Sequence, residues 1–329
     1  MGNNHRIKFT VDQQIEHMKS KGIRFTIEDE DFARQYLSNN TYFFKLKAYD
    51  KLYDKKDDTY IGLEFAYLRD LAIIDSLLRR IILRISIDIE HYLKVAMLRD
   101  FNDSEENGYS IIQRYIETYP NRMEKVLTQR SEGKACSNLI QKYKDDFAIW
   151  NIVEILSFSD FTNLYDMFYL RNRQPKYPNE NPYKRVPYHY LFNPVRLLRN
   201  AAAHSNCLIN SLKNPYISPE MFNFNHGISS FLGQHHIGNK RLNTQLSKPL
   251  IHDFCVMLYL YHKIAPLNVQ FYAFKDLKDF LYGRAIKNKT YYQNHTVLIS
   301  AYEFIVQVVD VFIKEVESKC AEPENITIL

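Results

Sequence analysis

The sequence predicts an all-α protein, and three observations carry that prediction. Apolar residues recur at three- and four-residue steps almost throughout the 329 residues, whereas period-two alternation bounded by turn residues is nearly absent. Glycine is scarce, at 9 residues, which disfavours folds built on glycine-rich turns such as dinucleotide-binding sheets, propellers and multi-turn sandwiches. The clearest helix spans residues 62–101, where Leu71, Ile74, Leu78, Ile81, Ile85, Ile89, Tyr92 and Ala96 form one apolar stripe. Its other side carries Arg69, Arg79, Arg80, Arg84, Glu90 and Lys94, a solvated face or, for Arg79 and Arg80, a contact for phosphate.

Upstream, residues 12–21 and 29–53 read as helices, the second broken near 38–41 by residues that favour caps and turns. Helices follow near 110–119 and 137–144, and a pair of them lies within 148–170. Residues 171–193 hold Pro175, Pro178, Pro182 and Pro187, which forbid a continuous helix. A short helix over 194–213 comes next, then an irregular Asn-rich stretch to 247. Two strongly apolar helices, 250–264 and 298–319, close the chain, with a smaller one near 276–282 between them and a loose tail from 321.

Composition narrows the function classes. With 46% hydrophobic and 25% charged residues the chain is ordinary globular material, large enough for one helical unit or two lobes. A net charge of +5 permits a polyanionic partner without requiring one. Cys136, Cys207, Cys255 and Cys320 form no CxxC pair, so neither a zinc knuckle nor a disulfide framework is written, and a reducing cytoplasm is expected. The polar N-terminus lacks an apolar leader, and the longest unbroken apolar run, 254–261, falls well short of the ~20 residues a membrane span needs. No membrane partner is expected. Phosphate-cradling glycine loops, GxSxG elbows and HExxH helices are all missing. His226, His235 and His236 share one irregular stretch, but no acid stands at ligand spacing, so no metal is expected there.

The chemistry concentrates in one segment. Asn193 followed by Pro194 reads as a helix start, with Asn capping free amides and Pro at the first helical position. On the resulting wheel Val195, Leu197, Leu198, Ala201, Ala202, Ser205, Leu208, Ile209 and Leu212 gather on one half. The other half holds Arg196, Arg199, Asn200, Ala203, His204, Asn206, Cys207 and Asn210. A solvated face normally uses Glu and Lys, and this one uses neither. Cations without acids, on a floor of small residues, suit a surface that meets phosphate; a capped interface helix would look the same.

Arg199-Asn200-Ala201-Ala202-Ala203-His204 resembles the R-x4-6-H signature of HEPN ribonucleases. The resemblance extends to the Asn39-Asn40-Thr41-Tyr42-Phe43-Phe44-Lys45-Leu46-Lys47 core, to Leu68-Arg69-Asp70 with Arg79-Arg80 and Ile89-Glu90, and to Trp150-Asn151-Ile152-Val153-Glu154-Ile155-Leu156-Ser157-Phe158. In that order and spacing the chain, from about residue 11 to 204, is similar to the Abi-like abortive-infection (AbiD/AbiF-like) family, with Ser159 where the family usually has glycine. The resemblance implies a HEPN-type helical bundle with additional N- and C-terminal helices: a helical segment over 1–60, a HEPN core over 61–213 and an extension over 214–329. It implies a metal-independent, cofactor-free RNA endonuclease of bacterial phage defence or toxin type. By position, Arg199 and His204 become the catalytic pair and Asn200 an auxiliary, with Arg196 and Glu154 as supporting residues. For Glu154, orienting the catalytic pair and a structural salt bridge are both open.

RNA carries its own nucleophile, the 2′-hydroxyl, so cleavage needs a base, an acid and charge stabilisation on the phosphorane. Histidine serves as base or acid near neutral pH, and the arginine fork matches two phosphate oxygens. The expected products are a 2′,3′-cyclic phosphate and a 5′-hydroxyl. A single imidazole does not easily supply both proton transfers, so a homodimer that pools two copies of the motif is expected. Arg171, Arg173, Lys184, Arg185 and Tyr188 lie in a cationic, tyrosine-rich stretch with Glu180 its only acid, which suits single-stranded RNA. A proline-rich connector pinned by its own tyrosines is the competing view. The alternative function is a non-catalytic RNA-binding protein in complex with a noncoding RNA, since some relatives associate with a small RNA; a plain helical interaction protein is the third.

Overall fold

The computed structural model describes residues 8–131, 134–143, 146–174, 176–213 and 226–321. Among these the chain is helical apart from one small hairpin. The elements in chain order are α1 (Val11–Ser20), α2 (Glu30–Asn39), α3 (Phe43–Lys47), a 3-10 turn (Ala48–Leu52), β1 (Lys55–Lys56), β2 (Thr59–Tyr60) and α4 (Phe65–Asn102). Next come α5 (Ser110–Thr118), α6 (Pro120–Ser131), α7 (Lys134–Tyr143), α8 (Ile149–Ile152), α9 (Phe158–Asn172) and α10 (His189–Ala203). The last are α11 (His226–Gln234), α12 (Asn239–Leu246), α13 (Pro249–Ile264), α14 (Leu267–Tyr282) and α15 (Thr296–Cys320).

The expected break in the 29–53 segment falls at Asn40 and Thr41, between α2 and α3. Local chemistry sets most other boundaries. Thr10 and Gln13 form a reciprocal capping box at α1, Asp29 caps α2 through the Phe32 amide, and Ser157 caps α9 through the Asp160 amide. In the hairpin, Asp57 and Asp58 both take positive φ, 49° and 59°, as a turn matched to right-handed strand twist requires. Helices α11 and α12 correct the sequence reading of an irregular stretch to 247, α6 lies where no element was expected, and α14 begins well before the short helix expected near 276.

The chain divides into two compact units. The first gathers the described residues of Met1–Arg84, Leu198–Cys255 and Leu267–Leu329; the second comprises Ile85–Leu197 and Val256–Pro266. In the first unit α14 and α15 pack along each other, with Phe312 stacked between Phe274 at 5.4 Å and Phe231 at 5.2 Å. The fully buried Asp70 of α4 accepts from Arg284 at 2.6 Å, Asn288 at 2.8 Å and the Tyr292 hydroxyl at 2.7 Å, which fixes the α14–α15 connection. By length and composition α15 is apolar enough to cross a bilayer, a property that a search for unbroken apolar runs overlooks. In this unit Phe304, Val308, Val309 and Phe312 bury one face of it.

The second unit is built around tyrosines. Tyr165 packs against Tyr169 at 4.6 Å and edge-on to Phe192 at 5.2 Å, while the Tyr169 hydroxyl donates to Asp100 at 2.7 Å. Gly108 has φ +80°, and a Cβ there would lie 2.6 Å from the Trp150 ring, so only glycine closes this turn.

Helix α15 starts on an imidazole. His295 Nδ1 accepts from the Leu298 amide at 3.3 Å, and Nε2 approaches the Leu52 carbonyl at 3.1 Å. That pattern needs the neutral ring, and burial holds the His295 pKa below its ordinary value. The unfolded chain therefore takes up the proton more readily, and this contribution to stability, present above about pH 6.5, is lost as pH falls. Chemical denaturation should show wild type losing stability below that point relative to His295→Asn, which retains a cap acceptor that does not titrate.

Candidate active site

Helix α10 corrects the expected register. It begins at His189 rather than Asn193, with Pro194 inside it, and ends at Ala203 instead of running to residue 213. The reason is a stripe that starts earlier: Leu191, Val195, Leu198 and Ala202 are buried at four- and three-residue steps. Pro194 lies within the first two turns, where it removes only a bond to the Tyr190 carbonyl. Tyr188 enters the helix with φ +60°, a costly conformation for an aromatic residue, while its carbonyl accepts from the Leu191 amide at 2.8 Å. Both expected half-wheels, the apolar one through Leu208 and Leu212 and the polar one through Cys207, are consequently broken after Ala203.

The helix ends in a Schellman turn. The Asn206 amide bonds to the Ala201 carbonyl at 2.9 Å and the Ser205 amide to the Ala202 carbonyl at 3.0 Å, with Ser205 left-handed at φ +56°. His204 is the capping residue of that turn, exposed, with its amide bonded to the Asn200 carbonyl at 2.9 Å. Arg199 and Asn200 lie half-buried in the preceding turn. The structure thus places Arg199, Asn200 and His204 together on the final turn of α10, in the first unit. Arg196, on the same helix but in the second unit, donates to the Asn193 side chain at 2.7 Å.

What holds the chain after His204 is a carboxylate that sequence reasoning missed. Asp75 of α4 is fully buried, and its Oδ1 accepts from the Leu208 and Ile209 amides, each at 3.0 Å. Its Oδ2 accepts from the Tyr49 hydroxyl at 2.8 Å and from Arg79 one turn along the helix. Arg79 also donates to the Asn206 carbonyl at 3.2 Å. Burial pushes the Asp75 carboxyl up from its ordinary range, and the Arg79 guanidinium and the three other donors oppose that. Cys207 packs beneath, its Sγ reaching the Lys45 carbonyl of α3 at 3.4 Å, and burial pushes its thiol up as well. The available signal was an acid on an apolar stretch, four residues before an arginine.

Arg79 is therefore a buried strut rather than a phosphate contact, whereas Arg80 next to it is exposed. Glu154 is corrected too: it is exposed in the turn after α8, because the chain breaks there before the Ser157 cap of α9. In the stretch expected to bind RNA the arginines are engaged within the second unit. Arg171 pairs with Glu106 at 3.1 Å, and Arg173 lies 4.6 Å from the centre of the Tyr169 ring and meets Asp100 at 3.5 Å. Arg185 donates to the Arg173 carbonyl at 2.6 Å. These contacts describe a pinned connector; Lys184 and the rings of Tyr177, Tyr183 and Tyr190 remain exposed, and Tyr188 is half-buried. His235 approaches Glu315 at 3.3 Å, and among the described residues no group of three or more His, Cys, Asp or Glu is arranged around a metal position.

A sequence model of the Abi-like protein family matches residues 35–210, more than half of the chain. The chain belongs to that family. Membership in the Abi-like family suggests a part in abortive infection. The matched span takes in α3, α4, α10 and the Asp75 cluster, and leaves α11 to α15 outside it. No curated protein and no solved structure matches the chain.

Removing Asp75 would strand a buried guanidinium and two amides. Asp75→Ala should lower the unfolding free energy by about 3–5 kcal/mol in urea titrations, and adding Arg79→Met should recover part of the loss, because the unpaired buried charge is then gone.

Proposed function

We propose that this Abi-like protein is a metal-independent RNA endonuclease of phage defence, acting in the cytoplasm, with Arg199 and His204 as its catalytic pair and Asn200 as an auxiliary. The observation that carries the reading is the end of α10. An arginine and a histidine five residues apart occupy one helix terminus, and His204 is exposed on a turn whose backbone is fixed by its own Schellman bonds and by Asp75. Rigid support of an exposed imidazole is what general acid–base chemistry needs.

In this mechanism the 2′-oxygen attacks the adjacent phosphorus and gives its proton to one imidazole, while the P–O5′ bond breaks and the leaving oxygen takes a proton from a second. Arg199 neutralises the charge that builds on the non-bridging oxygens. The two imidazoles come from two copies of the chain in a homodimer, since each contributes one His204 on one exposed turn. No step requires a cofactor.

Purified protein incubated with cellular RNA and a chelator should leave 2′,3′-cyclic phosphate and 5′-hydroxyl ends. His204→Ala and Arg199→Ala should each reduce the rate by about 10²–10⁴-fold without changing the circular dichroism spectrum. Cleavage of a substrate that is 2′-deoxy at the scissile position would overturn the mechanism. Light scattering that finds only monomer, with and without RNA, would overturn the shared site. RNA binding with intact RNA and no effect of either substitution would instead favour the non-catalytic partner of a noncoding RNA.

A further inference from the structure

We propose that Tyr42 and Phe44 form a stacking platform for unpaired bases of single-stranded RNA beside the motif turn. This inference rests on the nuclease reading for its substrate, but not on cleavage for its test. Tyr42, Phe43 and Phe44 are three consecutive rings with two different fates. Phe43 is half-buried, edge-on to His17 at 6.0 Å. Phe44 is 77% exposed, the highest value among the large apolar side chains described, and Tyr42 is 61% exposed. Two large rings within three residues leave apolar surface in water, the kind of surface on which a partner docks.

Three features choose the occupant. First, the rings are on a rigid mount: α3 is anchored by the fully buried Leu46 and Tyr49, and Tyr49 donates to Asp75. Second, the mount is joined to the motif turn through the Cys207 contact to the Lys45 carbonyl. Cys207 is three residues beyond His204, a chain span of at most about 11 Å, so the platform sits within a few nucleotides of the imidazole. Third, the charge is one-sided. Between Phe32 and Tyr49 the sequence has no acid; Arg34 is paired with Asp12 and Asp31, so Lys45 and Lys47 of α3 are the cations beside the rings. Lys45 is half-buried beside Arg79, and both burial and that guanidinium disfavour its charged form, so a phosphate would relieve the repulsion. Exposed rings followed at once by two lysines fit a nucleic-acid strand better than a second copy of the same cationic segment.

Stacking reads the presence of a base, so the test compares strands with and without bases. Binding is measured with the full chain carrying His204→Ala, which removes cleavage, against a short single-stranded RNA and an abasic strand of the same length. Phe44→Ala should weaken binding of the base-bearing strand by about 5–100-fold and leave the abasic strand within twofold, and Phe44→Trp should retain the affinity. Tyr42→Ala should act in the same sense. Equal losses on both strands, no loss, or no RNA binding by the parent would each overturn the platform. So would light scattering in which Phe44→Ala dissociates a dimer but keeps its RNA affinity, which would assign the rings to a contact between copies. Selective loss in a chain that never cleaves RNA would sustain the platform and sink the nuclease reading; cleavage indifferent to both rings would do the reverse.

Discussion

The buried Asp75 carboxylate is the constraint on which the rest of the first unit's site depends. Two backbone amides, a phenol and a guanidinium converge on two oxygens with no access to water. The four donors come from three separate parts of the sequence: both amides from the turn after α10, the phenol from the segment after α3, and the guanidinium from the next turn of α4. A charge in such a place is tolerated only because every lone pair is used, and that same requirement fixes the geometry of everything that donates to it.

Around that node the fold has a simple division of labour. Helix α4 supplies acids at Asp70 and Asp75 that capture distant connections, one after α14 and one after α10. The apolar surfaces of α14 and α15 provide bulk without specificity. The polar clusters set which loop lies where, and the apolar faces supply most of the stabilisation. The matched family span covers both the strut and the motif turn but not α14 and α15, so the site is built from the part of the chain that defines the family.

What was legible in the sequence follows from how strongly a few residues speak. The 38-residue α4 advertised itself through an unbroken stripe, and the Asn40–Thr41 break through cap-forming side chains. Helices α6 and α12 were silent because each buries few apolar residues, Met123 and Val126 in one, Leu242 and Leu246 in the other. The start of α10 misled because Asn-Pro is a strong local signal, overridden here by burial of Leu191 and Phe192 ahead of it. The arginine and histidine were visible as a spacing. Their support was not, because the partners lie more than a hundred residues away and hydrogen bonds across such distances leave no periodic trace.

The Schellman turn and the Asp75 clamp share a property that bears on how such a site evolves. Between them they consume the amides of Ser205, Asn206, Leu208 and Ile209. A phosphate-cradling loop recognises anions with its main chain and so is tied to glycine and to one backbone path. Here most of the turn's main chain is already spoken for, and an anion arriving there must be met chiefly by side chains. Such a scaffold can exchange its chemistry one residue at a time while the turn that displays it stays put.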